Sequence, residues 1–64
     1  QRDALRALVT ELPERQRLAL FLRYYADLDY AGIAVVLGIS ANTVGPTLSA
    51  AQASLRRLME GDTE

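Results

Sequence analysis

The side chains best suited to directed polar contacts fall in one short window. Ser40, Asn42, Thr43, Thr47 and Ser49 follow one another there, with Arg56 and Arg57 further along. An Asn amide can bond bidentately to the adenine edge in a major groove. Thr43 and Thr47 can reach a phosphate or meet a thymine methyl. Arg56 and Arg57 can touch phosphate, although cations near a helix C-terminus also serve as solvated complements of its dipole. A plainer reading stands beside these. Asn42 is then an exposed first-turn side chain satisfied by water or backbone, and Thr43 only a helix-start residue.

Other groups invite chemistry more weakly. Tyr24, Tyr25 and Tyr30 are able to stack on bases, but at helical spacing they read as core-edge and interhelix contacts. Asp27 and Asp29 form a carboxylate pair with no His, Lys or metal-ligand cluster nearby, so they read as a turn and a helix cap. The backbone N–H groups just after Asp29 remain able to hold a phosphate. Arg15 and Arg17 either approach a nucleic-acid backbone or pair with Glu11 and Glu14, and surface pairs add little stability.

Composition narrows the choice of function. The 64 residues allow one domain, and a domain this small is marginally stable. There is no Cys and no His. Thiol nucleophiles, disulfides, imidazole bases and the usual zinc ligands are therefore missing from this sequence. With no nucleophile–base pair and no phosphate-cradling Gly loop, the reading is not an enzyme, with no cofactor, metal or small-molecule substrate. The lack of disulfide staples favours the cytoplasm. No apolar run approaches the ~20 residues of a membrane span. Gln1 is an unusual first residue and suggests a piece of a longer protein. Seven Arg, no Lys and eight acidic residues give a net charge of −1, whereas a free-standing DNA-binding domain is usually basic. Any affinity for DNA must come from a local basic face or from a tethered partner.

The elements that would position these residues are all helical. Leu5, Leu8 and Val9 suit a short first helix over Asp3 to Val9. Pro13 and Glu14 read as the start of a second helix that runs to about Asp27. Its stripe is Leu18, Phe21, Leu22 and Tyr25. Asp29 caps a third helix, Tyr30 to Leu37, whose stripe is Ile33, Ala34 and Leu37. Gly38 supplies a left-handed C-terminal cap, Ile39 plugs the core, and Ser40 caps a fourth helix. That helix buries Val44, Leu48, Ala51, Leu55 and Leu58. Asn42, Pro46, Ser49, Ala53 and Arg57 occupy the opposite face, with Ala50 beside them. Only Ala34 to Leu37 has strand-like composition, and its flanking caps argue for helix. The expectation is an all-α domain over residues 1–60, a winged-helix-like or homeodomain-like bundle of three to four helices with no sheet, and a frayed tail over 61–64. Leu5, Leu8, Leu12 and Leu20 either complete the core or leave an apolar groove.

Eight helical residues, a three-residue turn with Gly, and a longer helix opened by Ser make helix-turn-helix spacing. In that arrangement the second helix can lie in the major groove with its N-terminal residues on base edges. A plain helical bundle can use the same turn. The sequence also resembles a known family. Leu12-Pro13-Glu14-Arg15-Gln16-Arg17, Leu22-Arg23-Tyr24-Tyr25, and Asp29-Tyr30-Ala31-x-Ile33-Ala34-x-x-Leu37-Gly38-Ile39-Ser40-x-x-Thr43-Val44 closely resemble region 4 of sigma-70 family factors, best its extracytoplasmic-function group. The resemblance spans about residues 8–58. It implies a bacterial transcription-initiation role: contact of the last helix with double-stranded promoter DNA at the −35 element, and partners in the RNA polymerase β flap and often an anti-sigma factor. By position, Ala41, Asn42, Thr43, Gly45, Pro46 and Thr47 lie where the family meets DNA. Ser49 lies one turn on, as does Ala50, and Tyr30, Ser40 and Arg57 complete the implied DNA-binding set.

Two departures from the family pattern bear on affinity. Gly45, Thr47, Ala50 and Gln52 stand where Lys or Arg is frequent, and each missing phosphate contact weakens the electrostatic term. Pro46 removes a backbone donor inside the fourth helix. This requires either a kink there or a regular helix that begins only near Gly45. Two alternatives share the scaffold. One is a protein-interaction module whose groove face has lost DNA contact. The other is a LuxR-type output domain, which shares Ile-Ala, Gly-Ile-Ser and Thr-Val.

Overall fold

The computed structural model describes residues 2–61, with side chains from residue 6 onward. Four helices follow one another, and no strand occurs among the described residues. They are α1 (Arg2–Val9), α2 (Glu14–Leu20, prolonged by a wider π-helical turn, Phe21–Tyr25), α3 (Tyr30–Leu37) and α4 (Ala41–Gly61). The all-α expectation holds. The expected tail residues 62–64, and the side chains of Asp3 and Leu5, lie outside the described residues.

Helix α3 is delimited as its end residues dictate. The Asp29 carboxylate accepts a 2.8 Å hydrogen bond from the Gly32 amide, so it satisfies one of the N–H groups that a helix start leaves unpaired. At the other end Gly38 adopts φ 70°, a left-handed conformation that side chains with a Cβ resist. The Ile39 amide then donates to the Ala34 carbonyl at 3.1 Å and the Gly38 amide to Val35 at 3.3 Å. This 6→1 and 5→2 pair is a Schellman motif. It stops α3 within one residue and turns Ile39 back against the core. Helix α4 leaves at 93° to α3.

Among the described residues seven side chains are buried: Leu12, Ala19, Ile33, Ala34, Val44, Leu48 and Ala51. Ile33 and Ala34 meet Val44 and Leu48 across the turn, and Ala19 joins them from α2. Leu20, Leu22, Leu28, Leu37 and Ile39 pack around this cluster. The stripes read for α3 and α4 are therefore correct, with Leu55 and Leu58 half-buried at the far end. Leu12 is core, and Leu8 and Leu20 are half-buried.

The stripe read for α2 is corrected. Leu18 is 38% exposed, Phe21 51% and Tyr25 82%, while Ala19 is fully buried. Two physical facts account for the change. Alanine adds little to an apolar stripe, yet it lets two helix backbones approach more closely than any larger side chain does. The π-helical turn also breaks the 3.6-residue period. Its i→i−5 bond runs from the Ala26 amide to the Phe21 carbonyl at 3.0 Å, and Leu28 donates back to Leu22 at 2.9 Å. Asp27 lies in the turn read there, with φ 62° in the left-handed region, so the helix ends before it rather than at it. Pro13 sits just outside α2, at the cap position, rather than in its first turn.

Pro46 lies within α4, which runs unbroken from Ala41. A start near Gly45 is thus excluded. Having no N–H, Pro46 leaves the Asn42 carbonyl without its intrahelical donor. Both residues are exposed, so water can serve that carbonyl.

These features set three stabilities. Removing the α3 cap with Asp29→Ala should lower unfolding free energy by about 1 kcal/mol. Gly38→Ala should cost about 1–2 kcal/mol through backbone strain alone, because an added Cβ there meets no atom within 4 Å. Conversely, Pro46→Ala should stabilise the domain, by up to about 3 kcal/mol. Urea unfolding followed by circular dichroism measures all three, and a Pro46→Ala domain no more stable than the parent would contradict the account of α4.

Candidate nucleic-acid interface

The turn from α3 to α4 places the start of α4 at the surface. Ser40 occupies the cap position, and its carbonyl accepts from the Thr43 amide at 2.9 Å. Its hydroxyl lies 3.1 Å from the Thr43 hydroxyl rather than capping a backbone amide, which corrects the side-chain cap expected there. The Thr47 hydroxyl donates to the Thr43 carbonyl at 2.7 Å. Both threonines are half-buried on one flank of the helix.

The exposed face is formed by Ser40, Ala41, Asn42, Pro46, Ser49 and Ala50, continuing through Ala53 to Arg57. Residues at i, i+4 and i+7 share a helix face, and Val44, Leu48 and Ala51 bury the opposite one. The amide of Asn42 makes no hydrogen bond among the described residues, so its donors and acceptor face solvent. Gly45 and Tyr30 do not share this face. Gly45 is half-buried on the other flank, where an added Cβ would lie 3.5 Å from the Tyr30 ring. That is an ordinary van der Waals distance, so the ring lies against the helix backbone at Gly45 without requiring glycine there. Tyr30 is itself 49% exposed at the start of α3.

Of the ten residues singled out, the structure gathers Ser40, Ala41, Asn42, Pro46 and Ser49 on one surface. Thr43 and Thr47 border it with hydroxyls engaged inside the helix. Arg57 lies about four turns beyond Asn42, and its guanidinium reaches the Ser54 hydroxyl at 3.5 Å. No Arg occurs between Arg23 and Arg56, so the first four turns of α4 carry no positive charge of their own. Arg17 donates to the Leu12 carbonyl at 3.4 Å instead of pairing with Glu11 or Glu14. No cluster of carboxylates able to hold a metal occurs among the described residues. No single helix among them is long and apolar enough to cross a membrane.

A second surface holds Leu20, one of the residues expected either to complete the core or to leave an apolar groove, beside aromatic rings that the sequence did not place there. Phe21 and Tyr25 stack at the end of α2, ring centroids 5.1 Å apart. Tyr24 accepts a 2.8 Å hydrogen bond from the Gln52 amide of α4, and the Arg23 guanidinium lies 5.8 Å from its ring centre. With Val9, Leu20 and Leu55 these rings line a groove of about 470 Å³. The interhelix role read for Tyr24 holds, whereas Tyr25 is turned to solvent. Val35 and Val36, 81% and 59% exposed, form a further apolar strip on α3. Their positions outside the Ile33, Ala34 and Leu37 stripe carried that signal.

Comparison with known proteins agrees with the geometry. The family description "Sigma-70, region 4" matches residues 2–58. An RNA polymerase sigma-F factor of Kitasatospora aureofaciens is 42% identical over 55 residues, which cover 86% of this chain and 18% of that protein. The chain thus spans about a fifth of the length of this curated relative. No solved structure matches. A helix-turn-helix with a 93° crossing, an Asp-capped first helix and a Schellman turn, matched over residues 2–58, places the chain in the sigma-70 region 4 family.

Proposed function

We propose that this chain is the promoter-reading C-terminal domain of a bacterial sigma factor, and that α4 contacts the −35 element in the cytoplasm. The observation that carries this reading is the exposed N-terminal half of α4, held at 93° to its brace α3 with its polar and small residues facing outward. That is the arrangement by which a helix-turn-helix enters a major groove. The set Tyr30, Ser40, Ala41, Asn42, Thr43, Gly45, Pro46, Thr47, Ser49 and Arg57 serves as the contact region. Asn42 and Ser49 lie outermost, while Tyr30 and Gly45 support the helix from the side. The extracytoplasmic-function assignment rests on the resemblance of residues 12–17, 22–25 and 29–44.

Weak intrinsic affinity is compatible with this role. A domain tethered to polymerase gains about 10²–10⁴ in avidity over a free one. In fluorescence anisotropy of the chain against a set of −35 promoter duplexes at low salt, some duplexes should bind several-fold more tightly than others. Flat anisotropy across the set would refute direct reading by this domain.

The groove of Phe21, Tyr24, Tyr25 and Leu55 favours a second, compatible role as a protein-docking surface. Its partner is the β flap of polymerase or an anti-sigma factor. It lies on a different side of α4 from Asn42 and Pro46, so both surfaces can be occupied together. Because Tyr25 is 82% exposed, Tyr25→Ser should cost only its stack on Phe21, about 0.5–1.5 kcal/mol of stability. The same change should weaken binding to an isolated β-flap domain by about tenfold or more. Calorimetric titration decides it, and unchanged affinity would remove the groove from that interface.

A further inference from the structure

We infer that α4 selects A·T base pairs, by setting apolar side chains against thymine methyls and the Asn42 amide against an adenine edge. The inference rests on the DNA-reading role proposed above and names what is read. Three observations carry it. The first concerns charge. Guanine is most often read by Arg or Lys, whose N–H groups bond its O6 and N7. This chain has no Lys, and no Arg between Arg23 and Arg56. The turns of α4 that would enter the groove first therefore carry no cation.

The second concerns the polar groups that remain. In the first two turns the Ser40 and Thr43 hydroxyls face one another, and the Thr47 hydroxyl donates within the helix. The Asn42 amide is exposed and makes no hydrogen bond. It can donate to N7 and accept from the N6 amine of adenine, a pairing that guanine, which presents two acceptors there, cannot match.

The third concerns the apolar groups. Pro46, Ala50 and Ala53 lie exposed on the stripe that begins at Asn42. The apolar feature of a base pair in the major groove is the thymine C5 methyl. These side chains are short, so no long flexible group holds the α4 backbone away from the bases. Asn42 and Pro46 are about 6 Å apart along the helix axis. That is close to two base-pair steps of about 3.4 Å each. An adenine and a thymine methyl within two steps of each other would fit the two residues together.

The test begins with selection of duplexes from a pool with random central positions, using the 64-residue chain at low salt. The preferred duplex is then remade with deoxyuridine for thymidine, or with 7-deazaadenine for adenine. Selected duplexes should be enriched in A·T pairs. Loss of each contacted methyl should weaken binding about fourfold, the equivalent of one buried methylene. The 7-deazaadenine duplex should bind more weakly to the parent chain and equally well to Asn42→Ala. Placing a cation at an exposed position, Ala50→Arg, should move the selection toward guanine and steepen the salt dependence by about one counterion. A guanine-rich preferred duplex, or equal affinity for thymidine and deoxyuridine duplexes, would overturn the inference. Binding with no sequence enrichment would overturn it too, while leaving DNA contact intact. No binding to any duplex at any salt would overturn both the inference and the DNA-reading role.

Discussion

The contact of Ile33 and Ala34 with Val44 and Leu48 is the constraint on which the rest of the domain depends. These four side chains join two helices that cross at 93°, and with Ala19 they form the buried cluster of the domain. A crossing this steep gives two helices only a short shared contact, so the turn must deliver them in register. Gly38 and Ile39 do this. The Schellman bonds end α3 abruptly, and Ile39 adds its side chain to the same cluster. The direction in which Asn42 and Pro46 face is then set by burial of Val44 two residues away.

Small residues extend this logic to the rest of the bundle. Ala19 and Ala51 are fully exposed to neighbours and not to water. Each occupies a place where a larger side chain would hold two backbones apart. The consequence is that the larger residues of α2 are displaced outward. Phe21, Tyr24 and Tyr25 form an aromatic surface, with a π-helical turn beneath them. A helix rarely carries such a turn without a reason in packing or function. Here it accompanies a groove that two helices share, joined across by the Tyr24–Gln52 hydrogen bond.

The face of α4 opposite the core is chemically unusual for a helix that meets nucleic acid. Over its first four turns it holds short, uncharged side chains and one proline, and a cation enters it only at Arg57. Electrostatic attraction to phosphates, which dominates non-specific affinity, is therefore weak at the point of contact. Selectivity among base edges and a tether to a larger assembly become more important as that term shrinks. A low net charge and a helix-turn-helix scaffold are consistent with each other on those terms.

Much of the architecture was legible in the sequence because short-range chemistry decides it. Asp29, Gly38 and the 4-3-4-3 spacing from Val44 to Leu58 act within one or two helical turns, and each produced the element expected. The outward face of α4 followed directly, since the stripe that is buried defines the one that is not. The α2 register did not follow. Whether Ala19 or Phe21 turns inward depends on how closely α4 approaches, and that distance is settled by residues far away in the chain. The aromatic groove has the same origin, because it exists only once α2 and α4 lie side by side. Likewise the Ser40 hydroxyl, free by sequence to cap a backbone amide, meets the Thr43 hydroxyl once the turn is closed. Local hydrogen-bonding and periodicity are properties of the sequence itself, whereas the choice of which apolar face remains in water belongs to the packed structure.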